Sequence, residues 1–188
     1  MSIPSAIVLI NGKRKSGKDF FASKLAEELG NACEILHLSN EIKREYATLH
    51  KLNYELLLTD SPYKDKYRTA MIALGESRRT ADPSHYCRLT TQHATAIIWI
   101  IVDNRRVSDM EYFTSAYPGK CVVVRVTASE EVRRTRGWVW KEGVDDVESE
   151  CGLDGYTPDV LVNNEGEDCG VFNERLKEVV VWCCNKIG

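Results

Sequence analysis

The chain has 188 residues, 43% apolar and 28% charged, which suits one globular domain and excludes wholesale disorder. Its 25 Lys and Arg against 28 Asp and Glu leave a net charge of −3, so a protein that wraps nucleic acid non-specifically is disfavoured. The longest apolar stretch, 94–102 with Thr95 included, is nine residues where a membrane span needs roughly 20, and no basic-then-apolar leader opens the chain, so neither a membrane nor a secretory destination is expected.

Residues 6–11 (AIVLIN) are β-branched and apolar, stop at Gly12, and read as a buried strand. Residues 16–29 carry Phe20, Phe21, Leu25, Ala26 and Leu29 at a helical period, with Gly30 as the stop. Residues 33–38 read as a second strand. From 39 to 92 the pattern is helical, broken into three pieces at Asp60-Ser61-Pro62 and at Asp82-Pro83. Residues 97–102 (IIWIIV) are apolar throughout, as a central strand covered on both faces must be. A short helix over 107–117 is stopped by Pro118-Gly119, and 121–126 (CVVVRV) is the next strand. Residues 129–136 read as a helix with Ser129 as N-cap and acids in the first turn. Residues 137–157 hold four glycines and little periodicity, the pattern of a lid or of an ordinary surface loop. A strand over 159–163 and a helix over 168–186 complete the chain. Five alternations of strand and helix imply a five-stranded parallel sheet between two helical layers, an α/β/α sandwich in a single domain over 1–188. Within it, 39–93 form a helical region and 133–157 a lid region.

Seven cysteines, an odd number without C-x-x-C spacing, argue against a disulfide framework and against zinc, and four histidines do not pair with them at ligand spacing. Reduced thiols in an intracellular protein are expected. Cys183 and Cys184 read as apolar positions on the last helix.

The chemistry begins at Gly12-Lys13-Arg14-Lys15-Ser16-Gly17-Lys18-Asp19, which fits G-x-x-x-x-G-K between the first strand and the first helix. Glycines let the backbone curl round an anion with its amides inward, the helix N-terminus adds partial positive charge, and Lys18 reaches the phosphates. Asp19 stands where the motif normally has a hydroxyl. A carboxylate is a hard ligand for Mg²⁺, direct or through water, and it can instead pair with Lys18. Lys13, Arg14 and Lys15 add three cations, more than one nucleotide requires. Ten arginines but one lysine fall between Arg68 and Arg136, and Arg is favoured where a fork of donors grips phosphate, so an anionic acceptor is expected, with some arginines pairing structurally. Asp103 directly follows the central strand, the place of a magnesium-holding acid, with Arg105 and Arg106 beside the same crevice; a salt bridge between Asp103 and Arg105 is the alternative. Arg133 and Arg136, three apart, share a helix face before the lid. Ten acids against one base over 141–168 suggest an arginine-pairing or solvated lid, or a second metal site.

Gly12 to Phe20, Ala81-Asp82-Pro83, Asp103 with Arg105-Arg106-Val107-Ser108-Asp109, Arg136-Gly137-Trp138-Val139, and the long block from Gly143 to Asp154 together resemble animal-type phosphomevalonate kinases over nearly the whole chain. Asp19 in place of the hydroxyl belongs to that family's pattern. The resemblance implies a nucleoside-monophosphate-kinase-like fold. It also implies transfer of the ATP γ-phosphoryl group to (R)-5-phosphomevalonate in the mevalonate route to isoprenoids and sterols, with Mg²⁺. By that similarity Lys13, Arg14, Lys15, Ser16, Gly17, Lys18, Asp19, Arg133, Arg136 and Asn164 bind ATP. Arg14, Lys18, Asp19 and Arg105 act in catalysis, Asp19 and Asp103 hold the metal, and Lys43, Arg79, Arg88, Arg105 and Arg106 receive the acceptor. The last residues, Asn185-Lys186-Ile187-Gly188, are not a peroxisomal tripeptide, so a cytosolic location is expected, and a monomer. The competing readings are a kinase of another small phosphorylated acceptor, a nucleotide-gated switch, and a non-catalytic nucleotide-binding module.

Overall fold

The structure is a computed structural model that describes residues 3–166 and 169–188. Five strands, β1 (Ala6–Asn11), β2 (Cys33–His37), β3 (Ile98–Val102), β4 (Cys121–Thr127) and β5 (Val160–Asn163), form one sheet in the order β2-β3-β1-β4-β5, and every pairing is parallel. The centre is β1, with Ile7 opposite both Trp99 and Cys121. All residues of β1 and β3 are buried, as two-sided coverage demands of a run without polar alternation.

Nine helices are described: α1 (Lys18–Leu29), α2 (Leu38–His50), α3 (Tyr54–Leu58), α4 (Pro62–Ala81), α5 (His85–Thr91), α6 (Val107–Ala116), α7 (Glu130–Thr135), α8 (Glu148–Cys151) and α9 (Cys169–Ile187). On one face Val8, Ile10, Ile100 and Val124 pack with Phe21 and Leu25 of α1 and with Phe172, Leu176 and Val179 of α9. On the other, Ile7, Leu9, Trp99 and Ile101 pack with Leu38, Cys87, Met110 and Phe113. Tyr46, Ala47, Leu57 and Met71 make a separate cluster that joins α2, α3 and α4 into a wing beside the sheet. The chain passes from β1 to one side of the sheet and later crosses to the other. The carboxyl end of β1 is therefore the switch point where open α/β sheets bind ligands.

Several boundaries differ from the sequence expectation for identifiable reasons. The first helix begins at Lys18 rather than residue 16, because Gly17 is left-handed (φ 94°) and holds the preceding turn outside the helix. The 39–92 stretch forms four helices, not three. The extra break is at Lys51, left-handed (φ 54°) with its N–H on the Ala47 carbonyl, after which the Asn53 side chain caps α3 by accepting from the Leu56 N–H. Ser129 caps α7 as expected, accepting the Val132 N–H. The last helix is described from Cys169; its expected first residue, Asp168, lies outside the described residues. Cys183 is fully buried but Cys184 is exposed, so only the former is a core position. The six cysteines with described side chains are free, and no described helix is long and apolar enough to cross a membrane.

Phe21 sets α1 against the sheet and meets Phe172 of α9 edge-on at 5.5 Å. It is fully buried. Phe21→Ala is expected to lower unfolding stability by about 3–5 kcal/mol, measured by urea titration, because truncating a buried aromatic leaves a cavity.

Candidate active site

The turn after β1 is shaped by close approach. A Cβ on Gly12 would lie 2.4 Å from the Val126 carbonyl oxygen, and one on Gly17 would lie 2.0 Å from Asn164 Nδ2. The loop is thus pressed against the ends of β4 and β5, with its other side at the N-terminus of α1. Arg136 and Asn164 brace it from behind. Arg136 donates to the carbonyls of Lys15 (3.2 Å), Ser16 (3.1 Å) and Asn164 (2.8 Å), and Asn164 Nδ2 donates to the Ser16 carbonyl (2.9 Å).

Lys18 is buried, its ammonium 3.5 Å from Asp103 and 3.6 Å from Asp19. Asp103, itself left-handed (φ 68°) at the end of β3, accepts a 2.7 Å hydrogen bond from the Ser39 hydroxyl and lies 3.5 Å from His37 Nδ1 and 3.6 Å from Arg105. Burial alone would raise the Asp103 carboxyl, but Lys18, His37 and Arg105 outweigh it and hold it well below the usual carboxylate range. The salt bridge expected between Asp103 and Arg105 is present, and Asp103 also faces Lys18.

The main cleft, about 650 Å³, runs from the phosphate loop to α2 and α4. Ten lysines and arginines line it against four acids, in a chain whose net charge is negative. Such a concentration of one sign fits polyanionic ligands. Arg14, Lys15, Lys18, Lys43, Arg79, Arg105, Arg106 and Arg136 are brought together there as the sequence suggested. Lys43, on α2, donates to Ser39 Oγ (2.9 Å) and Asn40 Oδ1 (3.0 Å). Burial, reinforced by Lys64 and Lys18 against the pull of Asp103, lowers its ammonium to about 8. Arg79 is buried, 3.5 Å from Asp109 and 5.0 Å over the Tyr86 ring. Arg106 pairs with Glu76.

Two of the lining cations were not named as site residues: Lys64 and Arg68, one turn apart on α4. Their i, i+4 spacing was the available signal. Burial, then Arg68, lowers the Lys64 ammonium. Lys13, Ser16 and Asn164 of the loop and its backing are not in the cleft lining, and neither are two named arginines. Arg88 is turned to the surface and paired with Asp82, because both lie at the mouth of the α4–α5 turn. Arg133 diverges from Arg136: its guanidinium lies 4.1 Å over the Trp138 ring, and its Nε donates to the Arg14 carbonyl (2.8 Å).

The acids of 137–157 face the loop. Lys13 pairs with Asp154 at 2.8 Å. Arg14 pairs at 2.7 Å with buried Asp145, which also accepts from Trp138 Nε1 (3.0 Å) and the Lys141 N–H (2.8 Å). Buried Glu150 accepts from the Arg14 N–H and from Arg105, and Lys15 pairs with Asp60. Each of the three loop cations, Lys13, Arg14 and Lys15, thus has an acid partner, and only Arg14 and Lys15 also line the cleft. Asp145, Glu150 and Asp154 of this segment pair with bases, and no cluster of three or more metal-type ligands occurs among the described residues. Behind the loop a second cavity of about 300 Å³ is lined by Lys13, Arg125, Arg133 and Asp154, among others. Asn11, Ser16 and Asn104 there each keep a buried polar atom without a protein partner.

The phosphomevalonate kinase family profile matches residues 10–119. A curated Drosophila melanogaster protein named phosphomevalonate kinase is 39% identical over 168 residues, 86% of this chain and 89% of its own length. Among solved structures, TT1252 from Thermus thermophilus superposes with a TM-score of 0.55 at 15% identity over the full length of both chains. Shikimate kinase from Bacteroides thetaiotaomicron does so at 0.51 and 15% identity, covering 94% of this chain and 97% of its own. The two structures share the fold, a parallel sheet between helical layers. With a nucleotide-type loop, an arginine-rich cleft and kin of this closeness, the chain belongs to the phosphomevalonate kinase family, and it is a phosphotransferase.

Proposed function

We propose that the chain transfers the γ-phosphoryl group of ATP to (R)-5-phosphomevalonate, with ATP on the phosphate loop and the acceptor against α2 and α4. The ten-cation cleft that joins the two regions is the observation that supports this reading most directly. The acceptor is itself a phosphate monoester with a second pKa of about 6, hence a dianion at pH 7. Its oxygen is nucleophilic without a strong general base. The obstacle is repulsion between two polyanions, so catalysis consists of positioning and charge cancellation.

The loop amides and Lys18 hold the nucleotide's terminal phosphates, with Arg136 and Asn164 fixing the loop. Arg105, held between Asp103 and Glu150, faces the transferring group with Arg14. Lys43, Arg79 and Arg106 receive the acceptor's phosphate and carboxylate, with Lys64 and Arg68 extending that wall. Asp19 and Asp103 present hard oxygens on either side of the same Lys18–His37 pair. One or two carboxylates completed by phosphate oxygens are the usual magnesium donors, so these residues fit Mg²⁺. When bound, the metal screens the charge of the nucleotide phosphates.

Lys18→Met is expected to lower kcat by orders of magnitude with a modest change in ATP affinity, read from a coupled ADP-release assay; near-normal turnover would remove the loop from the mechanism. Arg106→Met is expected chiefly to raise the KM for phosphomevalonate, and an unchanged constant would make that arginine structural. The Lys43 ammonium loses its proton near pH 8. The kcat/KM for phosphomevalonate should therefore fall above that pH, by up to about tenfold per unit, while a bound anion moves the same limb of kcat upward. The limb should vanish in Lys43→Met. Because the folded value lies below the unfolded one, the group's stability penalty is full below about pH 8 and fades as pH rises toward 10.5.

A further inference from the structure

Asp109 is a fully buried carboxylate in the first turn of α6, outside the cleft and unused by the mechanism above. It touches three other elements. Its Oδ1 lies 3.5 Å from Arg79 Nε of α4 and accepts from the Cys87 thiol of α5 (3.6 Å), while its Oδ2 accepts the Arg105 backbone N–H (3.3 Å). Burial, then Asp109 itself, pushes the Cys87 thiol up, so it stays a neutral donor. One carboxylate thus joins the helical wing to the loop that carries Arg105 and Arg106.

Arg79 is the cation it holds. The side chain is buried, and both Nε and Nη1 lack a hydrogen-bond partner, an arrangement that is costly unless an anion is to be met. One turn earlier stands Gly75, in the middle of a 20-residue helix, where glycine is ordinarily unfavourable. A Cβ at Gly75 would lie 3.4 Å from Arg79 Nη1 and 3.3 Å from Ile42 Cδ1. The missing side chain leaves the space in which the guanidinium rests. Tyr86 closes the seat from the other side.

We propose that Asp109 is a positioning residue for the acceptor: by its ion pair with Arg79, in the gap left at Gly75, it sets that guanidinium facing the cleft, where the acceptor's phosphate is received. This rests on Arg79 as an acceptor contact, as proposed above. A role limited to capping the start of α6 makes a different demand, since an amide at 109 still accepts the Arg105 N–H but does not attract Arg79.

The test is steady-state kinetics with both substrates on Arg79→Met, Asp109→Asn, Gly75→Ala and the Arg79→Met/Asp109→Asn double variant, with melting temperatures. Asp109→Asn is expected to raise the KM for phosphomevalonate about tenfold with the KM for ATP nearly unchanged, and to add little in the Arg79→Met background. Gly75→Ala is expected to raise the same KM while its melting temperature stays level or climbs, since a helix prefers alanine. That variant keeps the test decisive should Asp109→Asn fold poorly. The positioning role is overturned if Arg79→Met raises the KM for phosphomevalonate but Asp109→Asn or Gly75→Ala does not. It is equally overturned if Asp109→Asn shifts both KM values alike, or acts fully in the double variant. A normal KM in Arg79→Met itself overturns the acceptor reading of Arg79, and the proposal with it.

Discussion

The organisation of this molecule depends on how positive charge is held in place before any ligand arrives. Cations crowded into one cleft repel each other, and a fold that gathers ten of them must supply counter-charge in the right places. The central instance is Asp103. Strand β3 delivers it, unable to reach water freely, to a point between Lys18, His37 and Arg105. An unpaired carboxylate there would be prohibitive, and an unpaired Lys18 nearly so. Together they fix the loop lysine relative to the sheet. Lys43 shows what happens where compensation is thinner: neighbouring cations and burial weaken its hold on the proton.

The wall built from 137–157 follows the same logic. Asp145, Glu150 and Asp154 each take a base from the phosphate loop or the Arg105 loop. Asp145 and Glu150 are almost wholly buried on their side chains, so these are not casual surface pairs of negligible value. These three carboxylates orient the bases that border the ligand space and offset their mutual repulsion.

The phosphate loop was legible from the sequence because everything that defines it is local: a strand, two glycines, a lysine and the first turn of a helix. The sheet was legible because its two innermost strands are apolar almost throughout, β3 on every residue and β1 up to Asn11. What escaped the sequence depends on which way a helix faces after packing. Lys64 and Arg68 line the cleft only because the Tyr46–Met71 cluster rotates α4 toward α2. Arg133 and Arg136 share a helical face, yet a tryptophan ring captures one and three carbonyls capture the other. The charge pattern announced that acids would pair with bases, but not that Asp154 would reach Lys13 across 141 residues. The break at Lys51 carries no residue-specific turn signal of its own, and only Asn53 hinted at a new helix start.

The brace between Gly17 and Asn164 has a consequence for biosynthesis. The nucleotide loop is synthesised before the strand end that backs it, which lies 148 residues on from Ser16 in the chain. A partly translated chain therefore carries the loop with one of its supports still unmade. Contacts of such long sequence separation close late, since chain entropy must be overcome before they form. The braced form of the loop accordingly exists only once the strand end that carries Asn164 has been made and has docked.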